Sequence, residues 1–452
     1  MSSFRSPLEL ACQGALRHLE TLDSQPVDAT ASLEELRARF AKPLPESGVP
    51  ATEVIADLLR DVEGGLIGTA GGRFFGWVIG GAVPSSVAAD WLAAAWDQPA
   101  GLYAAGPAAA VVEEVAGGWL KSILGLPDAA SFAFVTGCQM AHVTCLAAAR
   151  HALLQRRGWD VEQDGLWGAP PIRIVTSAER HGTIERALRL LGMGRACVTD
   201  LPADARGTLS PEALEAALDD RPTIVLLQAG DLNIGAYDPF ETLIPIARRH
   251  RAWVHVDGAF GLWAAASPGL RHLVRGVEAA DSWATDGHKW LNVPYDSGFA
   301  FVADPEAHRG AMAYRASYLT YDGAARDELD WTPEWSRRAR GFATYAALRE
   351  LGRDGVAALV ERCCRQARDL VLGIGKLPGA EVVWEPVINQ GLLRFGDDRR
   401  TDEVIAAILG TGETFFCGTT WRGKRCMRVS VCNWLTSEQD IERSIRAVAS
   451  VL

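Results

Sequence analysis

The stretch Asp281–Gly298, DSWATDGHKWLNVPYDSG, constrains this chain more than any other. An apolar strand runs into His288 and Lys289, and a turn rich in glycine and proline follows. Most lysines sit on solvated faces, but Lys289 is flanked by Trp283, Trp290, Leu291 and Val293. A partly buried amine sheds its charge more readily and becomes a nucleophile. The alternative is a lysine whose stem lies along tryptophan while its ammonium stays in water.

A second stretch, Trp253–Gly261 (WVHVDGAFG), reads as a buried strand that delivers the carboxylate of Asp257 and then breaks at glycine. In open α/β sheets the C-terminal ends of the strands are where ligands bind. A carboxylate there can keep the ring nitrogen of pyridoxal 5'-phosphate protonated, which makes that ring an electron sink. An aspartate that merely caps the next turn is the alternative. The order strand–Asp, helix, strand, His–Lys points to the cofactor.

The residues His255-Val256-Asp257-Gly258-Ala259 and Gly287-His288-Lys289-Trp290-Leu291-Asn292-Val293-Pro294 carry a family resemblance. The chain resembles the pyridoxal-phosphate-dependent amino acid decarboxylases of the aromatic amino acid and glutamate decarboxylase group, from about Arg73 to the C-terminus. The resemblance implies a fold-type I α/β enzyme whose large lobe, residues 71–310, carries a mainly parallel seven-stranded sheet. Residues 1–70 read as a helical arm, 311–340 as a mobile loop and linker, and 341–452 as a smaller α+β lobe. Within the arm, Ser32-Leu33-Glu34-Glu35 is a capping box.

Composition narrows the function. With 452 residues and 48% hydrophobic content the chain can bury a large core. Its net charge of -11 argues against a nucleic-acid or anionic-membrane surface. No apolar run is long enough to span a bilayer. Nine cysteines lie without a repeated spacing, with Cys363 and Cys364 adjacent, and no zinc pattern appears; a cytoplasmic enzyme with reduced thiols is expected.

Further candidate site residues follow in chain order. Phe75 and Trp77 lie in a loop dense in glycine and aromatic residues and are candidates for substrate contact, with simple packing as the alternative. The helix from Ser85 to Trp96 reads as core. Phe132–Val135 runs into Gly137, Cys138 and Gln139, a turn that opens a helix and so offers free N–H groups to an anion. The resemblance places the cofactor phosphate on that turn, although Gln139 stands where serine or threonine is usual and His142 where asparagine is usual. His181 stands where the family stacks a histidine on the cofactor ring. Asn233 belongs to a loop the family sets beside the cofactor, Ala259 leaves room beneath the ring, and His288 contacts phosphate. The segment from Ala316 to Glu328 reads as a surface loop; the family carries a tyrosine there that protonates the product, and this chain offers Tyr318 and Tyr321, of which Tyr321 is preferred and Tyr318 is kept as a substrate contact.

The reading is decarboxylation of an L-amino acid to the amine, with Lys289 holding the cofactor and Asp257, His181 and Tyr321 assisting. The resemblance also implies a homodimer. Fifteen tryptophans tilt the substrate toward an aromatic or bulky amino acid. One rival keeps the cofactor but forms an aldehyde or cleaves a carbon–carbon bond; another is a non-catalytic binding protein on the same scaffold.

Overall fold

The computed structural model describes residues 3–314, 316–317, 323 and 325–452. Strands β1 (Ser131–Val135), β2 (Arg173–Ser177), β3 (Val198–Leu201), β4 (Thr223–Gln228), β5 (Trp253–Asp257), β6 (Ser282–Asp286) and β7 (Gly298–Val302) form one sheet in the order β1-β7-β6-β5-β4-β2-β3. Only β7 runs against its neighbours, pairing antiparallel with both β1 and β6. The expected mainly parallel seven-stranded sheet is therefore present. Strands β4 to β7 are buried along their whole length, and β4 and β7 accordingly read as near-continuous apolar runs rather than alternating ones, while β5 and β6 bury polar side chains as well.

Helices cover this sheet and extend the chain at both ends. The N-terminal arm is α1 (Arg5–Thr21), α2 (Leu33–Phe40) and α3 (Ala51–Asp61), and Ser32 closes the predicted capping box with Glu35. Then come α4 (Pro84–Trp96), α5 (Pro107–Leu124), α6 (Cys138–Gln155), α7 (Val161–Asp164), α8 (Gly182–Leu190), α9 (Pro211–Ala217), α10 (Phe240–Arg249) and α11 (Pro305–Met312). Helix α12 (Gly341–Gly375) leads into the C-terminal part, where β8 (Ala380–Trp384), β9 (Gln390–Phe395), β10 (Cys417–Trp421) and β11 (Lys424–Ser430) make an antiparallel sheet. Helices α13 (Asp398–Gly410) and α14 (Glu438–Ala449) complete it. Helix α12 is kinked at Gly352, whose φ of 62° suits glycine.

Two expectations are corrected here. Helix α4 is not core in this chain: Ser86 and Ala93 alone are buried in it, and Trp91, Leu92 and Trp96 are exposed. Its apolar composition was legible; α12 packs against one side of it, where Phe342 meets the Trp96 ring edge-on, but among the described residues Trp91, Leu92 and Trp96 stay half-exposed. The end of the segment read as a surface loop is also buried. Glu328 is 1% exposed and pairs with Arg326, whose guanidinium lies 4.2 Å from the centre of the Phe132 ring. Charged residues lack a hydrophobic period, so burial by mutual pairing left no pattern to read. Within the expected α+β lobe, strand β10 is the one least marked by its sequence, since Cys-Gly-Thr-Thr-Trp carries only a weak strand signature.

The topology positions the site. All strands but β7 end on the same edge of the sheet. At that edge β1 delivers Gly137, β2 leads to His181, β5 ends in Asp257 and β6 runs into Lys289. Glycine permits the tight packing there: a Cβ on Gly298 would collide with the Gly137 backbone, and one on Gly80 with the Lys289 carbonyl oxygen.

Candidate active site

The strand ends surround a cavity of about 420 Å³. Gly137, Cys138, Gln139, His181, Asp257, Ala259, His288 and Lys289 all line it, so eight expected site residues, far apart in sequence, converge. Trp77 joins them from the glycine-dense loop.

Lys289 does not lie out along tryptophan into water. Trp283, Trp290, Leu291 and Val293 are all buried, and they fix the backbone while the ammonium turns into the cavity. Its Nζ lies 3.0 Å from Asp286 Oδ2 and 5.9 Å from the centre of the Phe260 ring. The expected loss of charge is corrected by this pairing. Burial works to lower the lysine pKa, but the Asp286 carboxylate, with Cys138 and Asp257 beyond it, prevails and the net direction is upward.

Asp257 is both a turn cap and a pocket carboxylate. Its Oδ1 accepts from the Ala259 N–H at 3.1 Å, while Oδ2 faces the buried His142 Nε2 at 3.6 Å. Burial works to raise its pKa; the facing imidazoles of His142 and His181 and the Lys289 ammonium outweigh burial and hold it below its usual value. A buried carboxylate kept ionised suits a partner that carries a proton on nitrogen.

Helix α6 opens at Gly137 without a side-chain cap, so its first-turn N–H groups have no intrahelical acceptor. The Cys138 N–H donates to Asp286 Oδ1 at 2.6 Å, which shows the turn already receiving an anionic oxygen. Gln139 turns its amide to the Thr183 carbonyl at 3.2 Å. His181 caps α8: its Nδ1 accepts from the Thr183 N–H at 3.2 Å, which leaves Nε2 for the proton. His288 Nδ1 lies 2.8 Å from the Ser297 carbonyl, and its ring stacks on Tyr295 with centres 4.3 Å apart.

Two expected residues fall elsewhere. Phe75 is wholly buried and stacks on Phe416, so of the two aromatic candidates in its loop only Trp77 reaches the cavity. Asn233 is buried with its Oδ1 accepting from Thr419 Oγ1 at 2.7 Å, outside the cavity lining. Tyr318 and Tyr321 lie outside the described residues.

Sequence reasoning missed Asp286, Tyr295 and Arg428. Asp286 and Tyr295 sit within the very stretch that holds Lys289, and proximity to it was the available signal. Arg428, on β11, is 7% exposed, donates from Nη1 to the Leu232 carbonyl at 2.7 Å and is the single arginine among the described lining residues. Nothing local marks it, since it arrives from the C-terminal sheet. Cys138, His142 and Asp257 also bring one ligand-type atom each within 4.8 Å of one another, a cluster that the sequence spacing did not show.

These residues fit pyridoxal phosphate: an anion-accepting helix start, an amine, an ionised carboxylate and a ring-sized cavity meet in one place. Comparison with known proteins agrees. The model of the pyridoxal-dependent decarboxylase conserved domain matches residues 34–395. An aromatic-L-amino-acid decarboxylase of Bacillus atrophaeus is 27% identical over 376 residues, 81% of this chain and 76% of that protein. The human acidic amino acid decarboxylase GADL1 is 28% identical over 365 residues, 78% of this chain and 69% of that protein. Among solved structures, Oryza sativa TDC with PLP and tryptamine superposes with a TM-score of 0.91 at 24% identity, covering 99% of this chain and 97% of that one, a likeness of fold.

Proposed function

Because the chain belongs to the pyridoxal-dependent decarboxylase family, and is a pyridoxal-phosphate-dependent amino acid carboxy-lyase, we propose that its substrate is an aromatic or bulky apolar L-amino acid. The observation that carries this is the cavity lining. Trp77, Val78, Ile79, Leu232, Phe260 and Tyr295 offer apolar surface, and Arg428 and Lys289 are the only arginine and lysine among the described lining residues. With Lys289 committed to the cofactor and Arg428 facing the α-carboxylate, no further arginine or lysine remains there for an acidic side chain.

The cofactor, when bound, supplies the sink for the electron pair left on Cα as carbon dioxide departs. The chain's own residues do the rest. Lys289 would hold the cofactor through its amine, once that amine has lost its proton. The first turn of α6, at Cys138 and Gln139, would receive phosphate oxygens. Asp257 would accept from the ring N–H, and Ala259 and His181 would bound the ring. Arg428 orients the substrate carboxylate by charge-assisted hydrogen bonding. Burial of Asp257, Asp286 and Arg428 in the cavity wall keeps their charges out of bulk water and strengthens their interactions. The proton returned to Cα comes from a loop tyrosine, Tyr321 ahead of Tyr318.

The enzyme works as a homodimer in the cytoplasm. Support for pairing comes from exposed apolar rows at Trp91, Leu92 and Trp96 of α4 and at Val111 of α5. All nine cysteines are free, which suits a reducing compartment. No helix among the described residues is long and apolar enough to cross a membrane. Carbon dioxide release measured across a panel of L-amino acids tests the substrate class: turnover of tryptophan, tyrosine or phenylalanine is expected, and preference for glutamate or aspartate overturns it. Sedimentation tests the dimer.

A further inference from the structure

Behind Asp257 runs a buried polar chain that the chemistry above does not use. His142, on α6, is wholly buried, and its Nε2 has no hydrogen-bond partner although it points at Asp257 Oδ2 from 3.6 Å. Its Nδ1 lies 2.9 Å from His255 Nε2, and the two rings stand at 85° to one another. His255 Nδ1 lies 2.9 Å from Ser282 Oγ. Ser282 Oγ in turn accepts from Trp253 Nε1 at 2.9 Å. The sequence marked His142 only as a departure from the family's usual asparagine.

The protons in such a chain can be placed by accounting. An indole N–H only donates, a hydroxyl donates once, and a neutral imidazole carries one N–H and one bare nitrogen. Burial lowers the pKa of His142 and takes that of His255 to about 3, and two wholly buried rings with nitrogens 2.9 Å apart share that contact best with one N–H on each ring. One proton must lie between the two histidines, which leaves two settings. In the first, Ser282 donates to His255 Nδ1, His255 Nε2–H donates to His142 Nδ1, and His142 Nε2–H points at Asp257. In the second every proton is reversed, a bare His142 nitrogen faces a carboxylate oxygen, and Ser282 must accept from both Trp253 and His255. Lone pair against lone pair in a dry interior is costly. With Asp257 ionised, the first setting wins.

We propose that Trp253, Ser282, His255 and His142 form a one-way hydrogen-bond relay that locks the His142 tautomer with its Nε2–H toward Asp257, making His142 a positioning residue for that carboxylate. Both oxygens of Asp257 are then specified, Oδ1 by the Ala259 N–H and Oδ2 by His142. A carboxylate so held has a lower proton affinity and leaves the proton on the cofactor's ring nitrogen. The proposal rests on Asp257 being the partner of that nitrogen. Second-layer partners that fix a tautomer and orient a working group commonly matter tenfold or more.

Nitrogen-15 histidine spectra of the full-length protein, with and without pyridoxal phosphate, test the tautomer directly. His142, assigned by the signals lost in His142→Gln, should show a protonated Nε2 and a bare Nδ1 in both states; a protonated Nδ1 overturns the relay. His142→Leu should weaken pyridoxal phosphate binding and lower kcat, each about tenfold or more, with KM little changed, while His142→Gln, whose amide can still donate, recovers most of both. Full cofactor affinity and kcat in His142→Leu also overturns it. Melting curves separate misfolding from these effects, and the wild-type spectra need no variant. Failure of the underlying reading looks different: Asp257→Asn would then keep full activity whatever tautomer His142 shows.

Discussion

Lys289 Nζ and Asp286 Oδ2 are 3.0 Å apart, and the same carboxylate takes the Cys138 N–H through its other oxygen. One aspartate thus bridges the Lys289 amine and the start of α6. It keeps the lysine protonated, whereas attachment to an aldehyde needs the free amine.

Asp286→Asn should therefore speed cofactor attachment near neutral pH. Burial already works to lower the Lys289 pKa, and the Asp286 charge is the leading influence against it. With that charge gone, the pKa falls and the neutral fraction at a given pH rises. The rate of spectral change when pyridoxal phosphate is added to cofactor-free protein, followed across pH, should show its inflection moved to lower pH. An inflection unmoved, or moved up, would show that Asp286 does not set it.

Lys289→Ala should abolish turnover, and borohydride reduction of the wild-type enzyme with its cofactor should label Lys289 alone. Peptide mapping reads the outcome. A label on another lysine would remove Lys289 from its role.

Asp257→Asn keeps shape and removes charge. Loss of a close charge-assisted hydrogen bond costs on the order of 2–3 kcal/mol, or tens- to hundredfold in rate measured with the cofactor supplied in excess. Unchanged kcat would leave the carboxylate with only its turn-capping contact to Ala259.

Arg428→Gln should raise KM for the amino acid while sparing cofactor binding. A lost hydrogen bond between charged groups is worth about 1.5–3 kcal/mol, roughly ten- to a hundredfold in kcat/KM. The Leu232 contact can persist through the amide. If kcat/KM holds, the α-carboxylate is bound by another group.

Tyr321→Phe should slow amine release by about 10²–10⁴-fold while carbon dioxide release persists and aldehyde appears. Product analysis by chromatography decides it. A loss in Tyr318→Phe instead moves the proton to Tyr318, and no effect in either variant points to His181.

The sequence by itself determined most strands, most helices and the residues at strand ends. Those features are written within one strand or one helical turn: the apolar runs of β4 and β7, the Ser32 capping box, and the punctuation that leaves His181, Asp257 and Lys289 where strands stop. The tertiary structure alone decided which of these side chains meet. His142 reaches His255 because α6 packs against β5, and Arg428 reaches the cavity because β11 lies beside it. Phe75 turns into the core while Trp77, two residues on, faces the site; Asn233 is drawn to Thr419 on β10. Local sequence holds no record of these pairings, because they depend on strand order and on packing between segments far apart in the chain. The charge on Lys289 follows the same rule: burial was legible from its neighbours, but the Asp286 oxygen that outweighs burial is placed by the turn's three-dimensional course.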